Sequence, residues 1–495
     1  MKSHISFNCQ SILFEPDQPF WKKVDNNIKL DEFTKEELYY YSNKHREYKK
    51  KTFGRKGSII VKFGSKENDI MCCNVRNSLM EQTNHQQYGF GLKFIQNTHY
   101  IEVFGQFEYW NQELKKHCIQ TNLKTKYTIG RKLGTGSFAD VYLIIHNESK
   151  QEFAVKIFDK TSIKFDLTCV KQELDILRLM DHPNTSQIIE TYESSKYLYL
   201  IQEFYKYGSL YDYLIKTEIP EEDTIRTTYK LLEALISIHS KGVLHRDIKP
   251  ENILLRKPNL EDIVISDFGL AVYYNDNGKY NHQRAGTPGN IAPEILKDQN
   301  YDYKVDVYGL GIVLYQMLTS KQSPFYNQNY HKMLSENREG YIDYSQIKAS
   351  SQTINLLTKM LDPDPLTRYT ALQAKQDQAF KKYNRQTIII KRKKIVKDQT
   401  ISSFSPRSNS IYFSPSQQQT PPIIVSSPKN SSQFNRRILG LPLRLKHEDR
   451  RQFFSPNSNI NSGIYSNLSK KNYKISNNQT RNSIYYGMIS QKASC

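Results

Sequence analysis

The spacing of apolar residues divides the chain into three parts. In the first 125 residues, short segments of alternating or aromatic-rich composition predict β-strands. These segments are Leu38–Tyr41, Ser58–Phe63, Tyr88–Phe94 and Tyr100–Phe104. Apolar residues at helical spacing then run from Phe107 through Trp110 to Cys118, so a helix is expected to close this N-terminal part.

The central part, from about Tyr127 to Phe380, mixes the two kinds of pattern. Strand-like runs at Leu198–Phe204 and Ile263–Ser266 lie on either side of a long amphipathic segment. The apolar face of that segment carries Ile225, Tyr229, Leu232, Ile236 and His239. Beyond residue 380 the periodicity is lost, and Ser, Asn, Gln and basic residues dominate. We therefore expect an α+β protein with a disordered C-terminal tail over residues 381–495.

A cluster of polar residues follows the amphipathic segment, at H-R-D-I-K-P-E-N from His245 to Asn252. Phosphoryl transfer needs a carboxylate to take a hydroxyl proton, a cation near the transferred phosphate and an amide oxygen to bind a metal ion. Asp247, Lys249 and Asn252 supply these three groups in that order. The sequence therefore predicts a phosphotransferase site at this loop.

The same eight residues resemble the catalytic loop of eukaryotic protein kinases, and Lys249 within D-I-K-P-E-N resembles the serine/threonine type. Other parts of the family's pattern stand at matching distances: G-T-G-S-F-A-D-V at 134–141, A-V-K-I-F around Lys156 and D-F-G beginning at Asp267. The resemblance implies a bilobal protein kinase fold over residues 127–380, with a β-rich small lobe and a helical large lobe. It also implies transfer of the ATP γ-phosphate to Ser or Thr of protein substrates.

The resemblance assigns the residues that hold ATP and Mg²⁺. Lys156 is expected to hold the α- and β-phosphates and Glu173 to orient Lys156, since a lysine flanked by apolar residues needs a partner. Asp267 is expected to bind Mg²⁺ together with Asn252. The full set of ATP residues that the resemblance implies is Leu133, Gly134, Gly136, Val141, Ala154, Lys156, Glu173, Glu203, Tyr205, Leu254 and Asp267. The apolar members of this set are equally explicable as core residues.

Further segments resemble one type of kinase within the family and structural segments of its large lobe. Thr287–Gly289 resembles the calmodulin-dependent type of kinase. D-V-Y-G-L-G, which begins at Asp306, matches a support of the large lobe. Glu294 and Arg368 are expected to form a buried ion pair there.

The segment after D-F-G bears on how activity is controlled. Between Leu270 and Ala285 there is no Ser or Thr, and Val272 stands where the family often carries a basic residue. Arg246 therefore lacks a second basic residue at this position with which to bind a regulatory phosphate. Thr287 is expected to contact the catalytic loop instead of carrying a phosphate. We expect activity that does not need Ser/Thr phosphorylation of this segment.

The first part of the chain resembles a pleckstrin-homology domain over residues 5–120. The resemblance rests on E-L-Y-Y-Y-S-N-K from Glu37, on the strand run that ends at Phe104 and on the helix that carries Trp110. It implies a β-barrel or sandwich closed by a C-terminal helix. Three roles stay open for this domain: binding of a phosphoinositide or membrane surface, protein docking, or autoinhibition.

A basic run in this domain is the candidate lipid site. Lys49–Lys51, Arg55 and Lys56 are expected in a loop, where they would oppose an inositol phosphate. Lys22–Lys23 is the nearest match to the basic pattern that the family carries in its first hairpin. The alternative, an ordinary solvated hairpin loop, stays open.

The charge is concentrated in the tail. Residues 381–495 hold 21 Lys and Arg against 3 Asp and Glu, so +18 of the net +20 lies there. The tail also carries five Ser-Pro or Thr-Pro pairs, and a basic run at Lys391–Lys394 that fits a nuclear signal, a lipid contact or a solvated run. Residues 1–380 are nearly neutral, so the basicity belongs to the tail and says little about the catalytic partner. No nucleic-acid partner is expected.

Cysteine content and hydropathy bear on the class of protein. Six scattered cysteines suggest neither a disulfide framework nor a zinc site, and no apolar run is long enough to predict a membrane span. We expect a monomeric cytoplasmic protein, with membrane recruitment and nuclear entry as alternatives. A pseudokinase scaffold would lack one of the catalytic groups, and a lipid or small-molecule kinase would depart from H-R-D-I-K-P-E-N and A-P-E.

Overall fold

The computed structural model describes residues 11–14, 21–24, 28–42, 44–64, 69–97, 99–136, 138–274, 284–320 and 323–384. The expectations for the tail beyond residue 384, namely its disorder, its Ser-Pro and Thr-Pro pairs and its basic run, lie outside these residues. So does the middle of the segment between Leu270 and Ala285. Within the described ranges, no helix combines the length and the hydropathy needed to cross a lipid bilayer.

The described part of the N-terminal domain consists of short strands and one helix. In chain order these are β1 (Lys22–Lys23), β2 (Thr34–Ser42), β3 (Glu47–Lys56), β4 (Ile59–Lys62), β5 (Met71–Asn74), β6 (Leu79–His85), β7 (Gly89–Gln96), β8 (His99–Phe104) and α1 (Glu108–Leu114). Antiparallel pairing connects the strands in the order β1-β5-β4-β3-β2-β8-β7-β6. The first hairpin is β2–β3, so Lys22–Lys23, paired with β5, lies outside it.

The core of this domain is closed by Trp110 of α1, which is completely buried. Apolar residues alternate along the strands, so that Leu92 and Phe94 of β7 and Val103 of β8 enter the same core as the indole ring. A large aromatic side chain at this position buries enough apolar surface to fix the helix against the strands. The pleckstrin-homology-like assignment stays a prediction.

Helix α1 is shorter than the apolar spacing predicts. It ends at Leu114 instead of continuing to Cys118, because the chain turns there and Ile119 donates a backbone hydrogen bond to the Ser78 carbonyl (2.9 Å). Cys118 is nevertheless fully buried in the same core as Trp110. The spacing of these residues therefore reflects a shared core beyond the helix itself.

The basic run does not lie in a loop, so that expectation was wrong. Lys49–Lys51, Arg55 and Lys56 all belong to β3, which pairs with β2 along its length. Lys50 forms an ion pair with Glu37 (2.8 Å), and the buried Arg55 donates to the Tyr109 hydroxyl (3.0 Å). Successive residues of a strand point to opposite faces, so Lys50 and Lys56 lie on the face of β3 opposite to Lys49, Lys51 and Arg55.

The described small lobe of the catalytic part contains an antiparallel sheet and one long helix. Two short elements, β9 (Ile119–Gln120) and α2 (Leu123–Lys126), connect the N-terminal domain to this lobe. The lobe itself consists of β10 (Tyr127–Thr135), β11 (Asp140–His146), β12 (Glu152–Asp159), α3 (Leu167–Leu179), β13 (Ile188–Glu193) and β14 (Tyr197–Glu203). Helix α3 begins after Asp166, whose carboxylate accepts a hydrogen bond from the Thr168 N–H (2.7 Å). Val170, Leu174 and Leu177 form its buried stripe.

The described large lobe is mainly helical. Its elements are α4 (Leu210–Leu214), α5 (Glu221–Ser240), β15 (Val243–Leu244), β16 (Ile253–Leu255), β17 (Ile263–Ile265), β18 (Val272–Tyr273), α6 (Pro293–Leu296), α7 (Lys304–Thr319), α8 (Tyr330–Glu339), α9 (Ser351–Met360) and α10 (Ala371–Lys375). Helix α5 is the predicted amphipathic segment, and α7 is buried on nearly all sides. The pairs β15–β18 and β16–β17 bring D-F-G beside the catalytic loop.

Strand β9 joins the N-terminal domain and the small lobe in one sheet. Ile119 stands in parallel register with Leu79 of β6 on one side and with Thr191 of β13 on the other. Strand pairing therefore continues from β6 through β9 into the small lobe. A strand of two residues is too short to show alternation, so the sequence did not predict this connection.

One disulfide departs from the sequence-based expectation. Cys169, in the first turn of α3, is disulfide-bonded, whereas Cys72, Cys73 and Cys118 carry free thiols. The six cysteines show no regular spacing that would mark Cys169 as bonded. The scattered cysteines therefore gave no reason to expect it.

Candidate active site

Strands β10 to β12 form the glycine-rich loop and the wall behind it. Gly134 of β10 stands opposite Val141 of β11, and Val141 stands opposite Lys156 of β12. Residues in direct register share one face of a sheet, as do residues two positions apart in a strand. Val141, Ala154 and Lys156 therefore line the same face of the small lobe.

A backbone hydrogen bond from Gly136 N–H to the Ala139 carbonyl (2.8 Å) closes the turn of this loop. Ala139 stands where the family's pattern has its third glycine, and it is buried. Leu133 in β10 and Leu254 in β16 are both half-buried. Their remaining exposure leaves apolar surface for a purine to cover.

Lys156 and Glu173 form a short ion pair between β12 and α3. Lys156 Nζ donates to Glu173 Oε1 (2.6 Å) and lies 3.4 Å from Asp267 Oδ1. Burial disfavours the Lys156 ammonium, but the charges of Glu173 and Asp267 outweigh it, so the pKa of Lys156 is raised above its ordinary value. The amine is therefore held charged, as a phosphate-binding group must be.

Asp247 lies at the centre of a hydrogen-bond network in the catalytic loop, between β15 and β16. Its carboxylate accepts from the Thr287 hydroxyl (2.7 Å) and from Asn252 Nδ2 (2.9 Å), and it pairs with Lys249 Nζ (2.8 Å). Lys249 Nζ also donates to Thr287 Oγ1 (2.6 Å). Thr287 is thus hydrogen-bonded to both catalytic-loop residues that the sequence named. The network places the Asp247 carboxylate next to the Lys249 side-chain nitrogen.

The backbone of this loop is held by Asp306, in the first turn of α7. Its two carboxylate oxygens accept the N–H groups of His245 (2.9 Å) and Arg246 (2.8 Å). Arg246 has a φ of +65°, a left-handed conformation that costs about 1–2 kcal/mol for a residue with a side chain. Burial opposes ionisation of Asp306, but hydrogen bonding and charge from His239 outweigh it and lower the pKa of Asp306.

Asn252 directly precedes β16 and Asp267 follows β17 by two residues, so the antiparallel pairing of these strands brings the two residues together. Ser266, which precedes Asp267, donates its N–H to the Asn252 carbonyl (2.8 Å). Lys156 is the main cause of a lowered pKa at Asp267, so its carboxylate is ionised at neutral pH. The Asn252 amide nitrogen is engaged by Asp247, which leaves Oδ1 for a cation. An amide oxygen and a carboxylate are the hard oxygen ligands that Mg²⁺ prefers.

Two ligands are fewer than Mg²⁺ requires. Within the described ranges there is no cluster of three or more His, Cys, Asp and Glu side chains suited to a metal ion. Mg²⁺ sites of few protein ligands are completed by water and by phosphate oxygens of the substrate. The pair therefore fits a metal that arrives with a nucleotide.

The hinge residues follow β14. Glu203 ends this strand, and its side chain pairs with Arg256 (2.8 Å), so its contact with a nucleotide would have to come from the backbone. Tyr205 is buried, with the Arg256 guanidinium 5.7 Å from its ring centre. Leu254 lies two residues before Arg256 on the large-lobe side. These residues frame the edge between the lobes where an adenine is expected.

Arg246 is bound by neutral groups. Its Nε donates to the Leu270 carbonyl (2.7 Å) and its Nη1 to the Tyr301 hydroxyl (3.2 Å). Sequence reasoning did not identify Tyr301, because a hydroxyl partner at this distance in sequence leaves no motif. It also missed Gln172 of α3, whose Nε2 donates to the Ala271 carbonyl (2.7 Å) and ties α3 to the segment after D-F-G.

The chain resembles known protein kinases over this region. Residues 127–380 match the family model described as protein kinase domain. The serine/threonine-protein kinase cds1 of Schizosaccharomyces pombe is 35% identical over 286 residues, which cover 54% of this chain and 61% of that protein. The CBL-interacting protein kinase 26 of Oryza sativa subsp. japonica is 34% identical over 270 residues, 53% of this chain and 54% of that protein.

A third relative is covered more fully. The calcium/calmodulin-dependent protein kinase type 1 of Macrobrachium nipponense is 34% identical over 258 residues, 51% of this chain and 74% of that protein. The chain spans little more than half the length of the first two relatives. The family model, however, covers the whole region in which the ion pair, the catalytic network and the D-F-G segment lie. The chain belongs to the protein kinase family.

Proposed function

We propose that this protein transfers the γ-phosphate of ATP to Ser or Thr hydroxyl groups of protein substrates. The observation that carries the proposal is the network in which the buried Asp247 carboxylate meets Lys249 and Thr287. The intact Lys156–Glu173 pair supports it as well. A pseudokinase scaffold would need none of these groups, and a lipid kinase would not be expected to keep this loop sequence.

Asp247 takes the proton of the substrate hydroxyl in the proposed reaction. As the hydroxyl oxygen bonds to the γ-phosphorus, the bond from that phosphorus to the β–γ bridging oxygen breaks, and ADP leaves with the negative charge. Lys249, beside Asp247, stabilises charge on the transferred group. Lys156 holds the α- and β-phosphates. Asn252 and Asp267 would hold Mg²⁺, which neutralises phosphate charge when bound.

Replacing Asp247 tests this proposal. Asp247→Asn keeps the shape of the side chain but cannot accept the proton, so phosphate transfer from Mg-ATP to a basic protein should fall roughly 10²–10⁴-fold. Asp343→Asn, which changes an exposed Asp of the large lobe, is the matched control and should keep wild-type activity. Equal activity of wild type and Asp247→Asn would refute the proposed role, and no transfer by wild type would favour a scaffold.

We also propose that the kinase is active without Ser/Thr phosphorylation of the segment between Leu270 and Ala285. The neutral partners of Arg246 support this, since the guanidinium is already engaged by Leu270 and Tyr301. Recombinant protein treated with a phosphatase should keep its full initial rate. A rate that appeared only after an upstream kinase had modified this segment would contradict the proposal.

For the N-terminal domain, we infer a role in docking within this chain in preference to lipid binding. The ion pair of Lys50 with Glu37 and the buried position of Arg55 leave fewer cations of the basic run for an inositol phosphate. The strand pairing through β9 supports docking on the small lobe. Binding of the full chain to vesicles with and without phosphoinositide tests the alternative, and strong headgroup-dependent binding would overturn this inference.

A further inference from the structure

Arg178, in the last turn of α3, is held by the N-terminal domain. Its side chain is only 2% exposed. Nε donates to the Lys116 carbonyl (2.8 Å), Nη2 to the His117 carbonyl (2.8 Å) and Nη1 to Asn77 Oδ1 (2.8 Å). All three acceptors are neutral, and all three come from outside the small lobe. The end of α3 is therefore fixed by another domain.

The charge of Arg178 makes these bonds costly to lose. Asp175, on the same helix, lies 3.5 Å from Nη1 and also pairs with Arg76 of the N-terminal domain. Burial lowers the pKa of Arg178 to about 10, and Arg76 acts in the same direction, so the guanidinium is still charged at neutral pH. A buried charge without hydrogen-bond partners is strongly disfavoured. Arg178 thus favours the docked position of the domain.

Helix α3 carries this constraint to the active site. Glu173 lies five residues before Arg178, about 7.5 Å along a helix that rises 1.5 Å per residue. The residues between them are continuous helix, and Leu174 and Leu177 are buried in the core of the small lobe. A shift at the end of α3 therefore moves Glu173, whose Oε1 lies 2.6 Å from Lys156 Nζ.

Other contacts across the same interface hold the strand beside α3. Lys115 pairs with the buried Glu190 of β13 (3.1 Å). Leu13, upstream of β1, is fully buried in the same core as α3. The Ile12 N–H donates to the carboxylate of Glu193, at the end of β13 (3.2 Å). Together with β9, these contacts anchor the docked domain on both α3 and β13.

We propose that Arg178 is a positioning residue, through which the docked N-terminal domain holds α3 where Glu173 keeps Lys156 ready for the ATP phosphates. This rests on the kinase activity proposed above. The N-terminal domain then supports activity, which is the opposite of the autoinhibition considered from the sequence. No motif marks the arrangement, because two of the three acceptors are backbone carbonyls.

Initial-rate kinetics of the full chain test the proposal. Arg178→Met removes all three donors, and it should lower kcat/KM for ATP by roughly tenfold or more, mainly through a higher KM. Arg178→Lys keeps the charge and one donor group and should recover part of that loss. Asn77→Ala removes one acceptor from the other domain and should cost about two- to fourfold. Lys171→Ala, another cation on α3, is the control and should stay within about twofold.

A double-mutant cycle separates positioning from a general loss of structure. If Arg178 acts through Glu173, Arg178→Met should change kcat/KM by less than about twofold in a Glu173→Gln background. If Arg178→Met lowers kcat/KM by the same factor in the wild type and in the Glu173→Gln background, Arg178 has a merely structural role and the proposal is overturned. Thermal unfolding shows whether each variant is folded. Should Arg178→Met not fold, Asn77→Ala in the same background replaces it.

Nucleotide binding keeps this test independent of turnover. The affinity of the full chain for a fluorescent ATP analogue with Mg²⁺ should fall in Arg178→Met and in Asn77→Ala, but not in Lys171→Ala. Equal affinities in all four proteins would overturn the positioning role even if the wild type were an active kinase. Absence of phosphate transfer by the wild type would refute the proposed function alone, since the affinities would still decide the role of Arg178.

Discussion

Two buried arginines hold different regions of this molecule, and their partners differ in charge. In the large lobe, the Nη1 and Nη2 atoms of Arg368 lie 2.6 and 2.8 Å from the two carboxylate oxygens of Glu294. At the end of α3, Arg178 is bound by two carbonyls and an amide of the N-terminal domain. The first arginine is neutralised within its own lobe. The second has an acidic neighbour, Asp175, at 3.5 Å on its own helix, but its three 2.8 Å hydrogen bonds all go to the N-terminal domain.

This difference separates a support of folding from a support of activity. The Glu294–Arg368 pair forms whenever the large lobe folds, because both partners belong to it and both are buried. The bonds of Arg178 form when the N-terminal domain is docked. We therefore expect changes at Arg368 to act on stability, and changes at Arg178 to act mainly on catalysis through Glu173.

Breaking the pair in the large lobe should have the largest effect on stability. Arg368→Met leaves the Glu294 carboxylate buried without its partner, which costs about 3–5 kcal/mol of the free energy of unfolding. Urea unfolding followed by circular dichroism measures this change. Lys382→Met breaks the exposed pair with Glu222 and is the control, with no measurable loss expected.

The matching change at the interface should cost less stability. Arg178→Met removes hydrogen bonds to neutral acceptors instead of orphaning a buried charge, and the His117 carbonyl still accepts the Asn77 N–H (3.0 Å). Because Lys116 and His117 are only half-buried, we expect a loss of about 1–3 kcal/mol in the same unfolding experiment. An equal loss at Arg178 and Arg368 would remove the distinction between the two regions. So would a loss at Arg178 with unchanged kinetics.

The same contrast explains what the sequence could predict. Lys156, Glu173, Asp247, Asn252 and Asp267 stand in segments whose residues and spacing resemble the protein kinase pattern, and the chemistry requires side chains of those types. Glu294 and Arg368 belong to the same pattern. Their contacts are between side chains, so the residue types of both partners can be recognised in the sequence.

The contacts between α3 and the N-terminal domain cannot be recognised in this way. Arg178 binds the backbone of Lys116 and His117, and any residue supplies a carbonyl there. Asn77 is 101 positions away and is one polar residue among many in the N-terminal part. The basic run of β3 was misplaced for a related reason, because composition alone does not tell a polar strand from a loop.

Acid should weaken the interface before it weakens the large lobe. Burial, reinforced by Arg178 and by Arg76, lowers the pKa of His117 from 6.5 to about 3. As pH falls below 6.5, protons bind the unfolded chain but not the folded one. The stability that neutral His117 contributes is therefore complete above pH 6.5 and is lost as pH falls towards 3.

The size of this effect is small and measurable by melting temperature. Between pH 7 and pH 5, the wild type should lose about 2–4 °C more than His117→Gln, which keeps the carbonyl that Arg178 uses. His331→Gln, at an exposed position of α8, should behave as the wild type does. An equal loss of melting temperature in wild type and His117→Gln between pH 7 and pH 5 would show that His117 is not the group responsible.

Hydrogen exchange of the amides of α3 tests the central claim most directly, namely that the docked N-terminal domain holds this helix through Arg178. In the full chain, Asn77→Ala and Arg178→Met should speed exchange in α3 several-fold or more, because the end of the helix opens more often. Exchange in α7 of the large lobe should stay as in the wild type. Unchanged protection of α3 in both folded variants would contradict the claim.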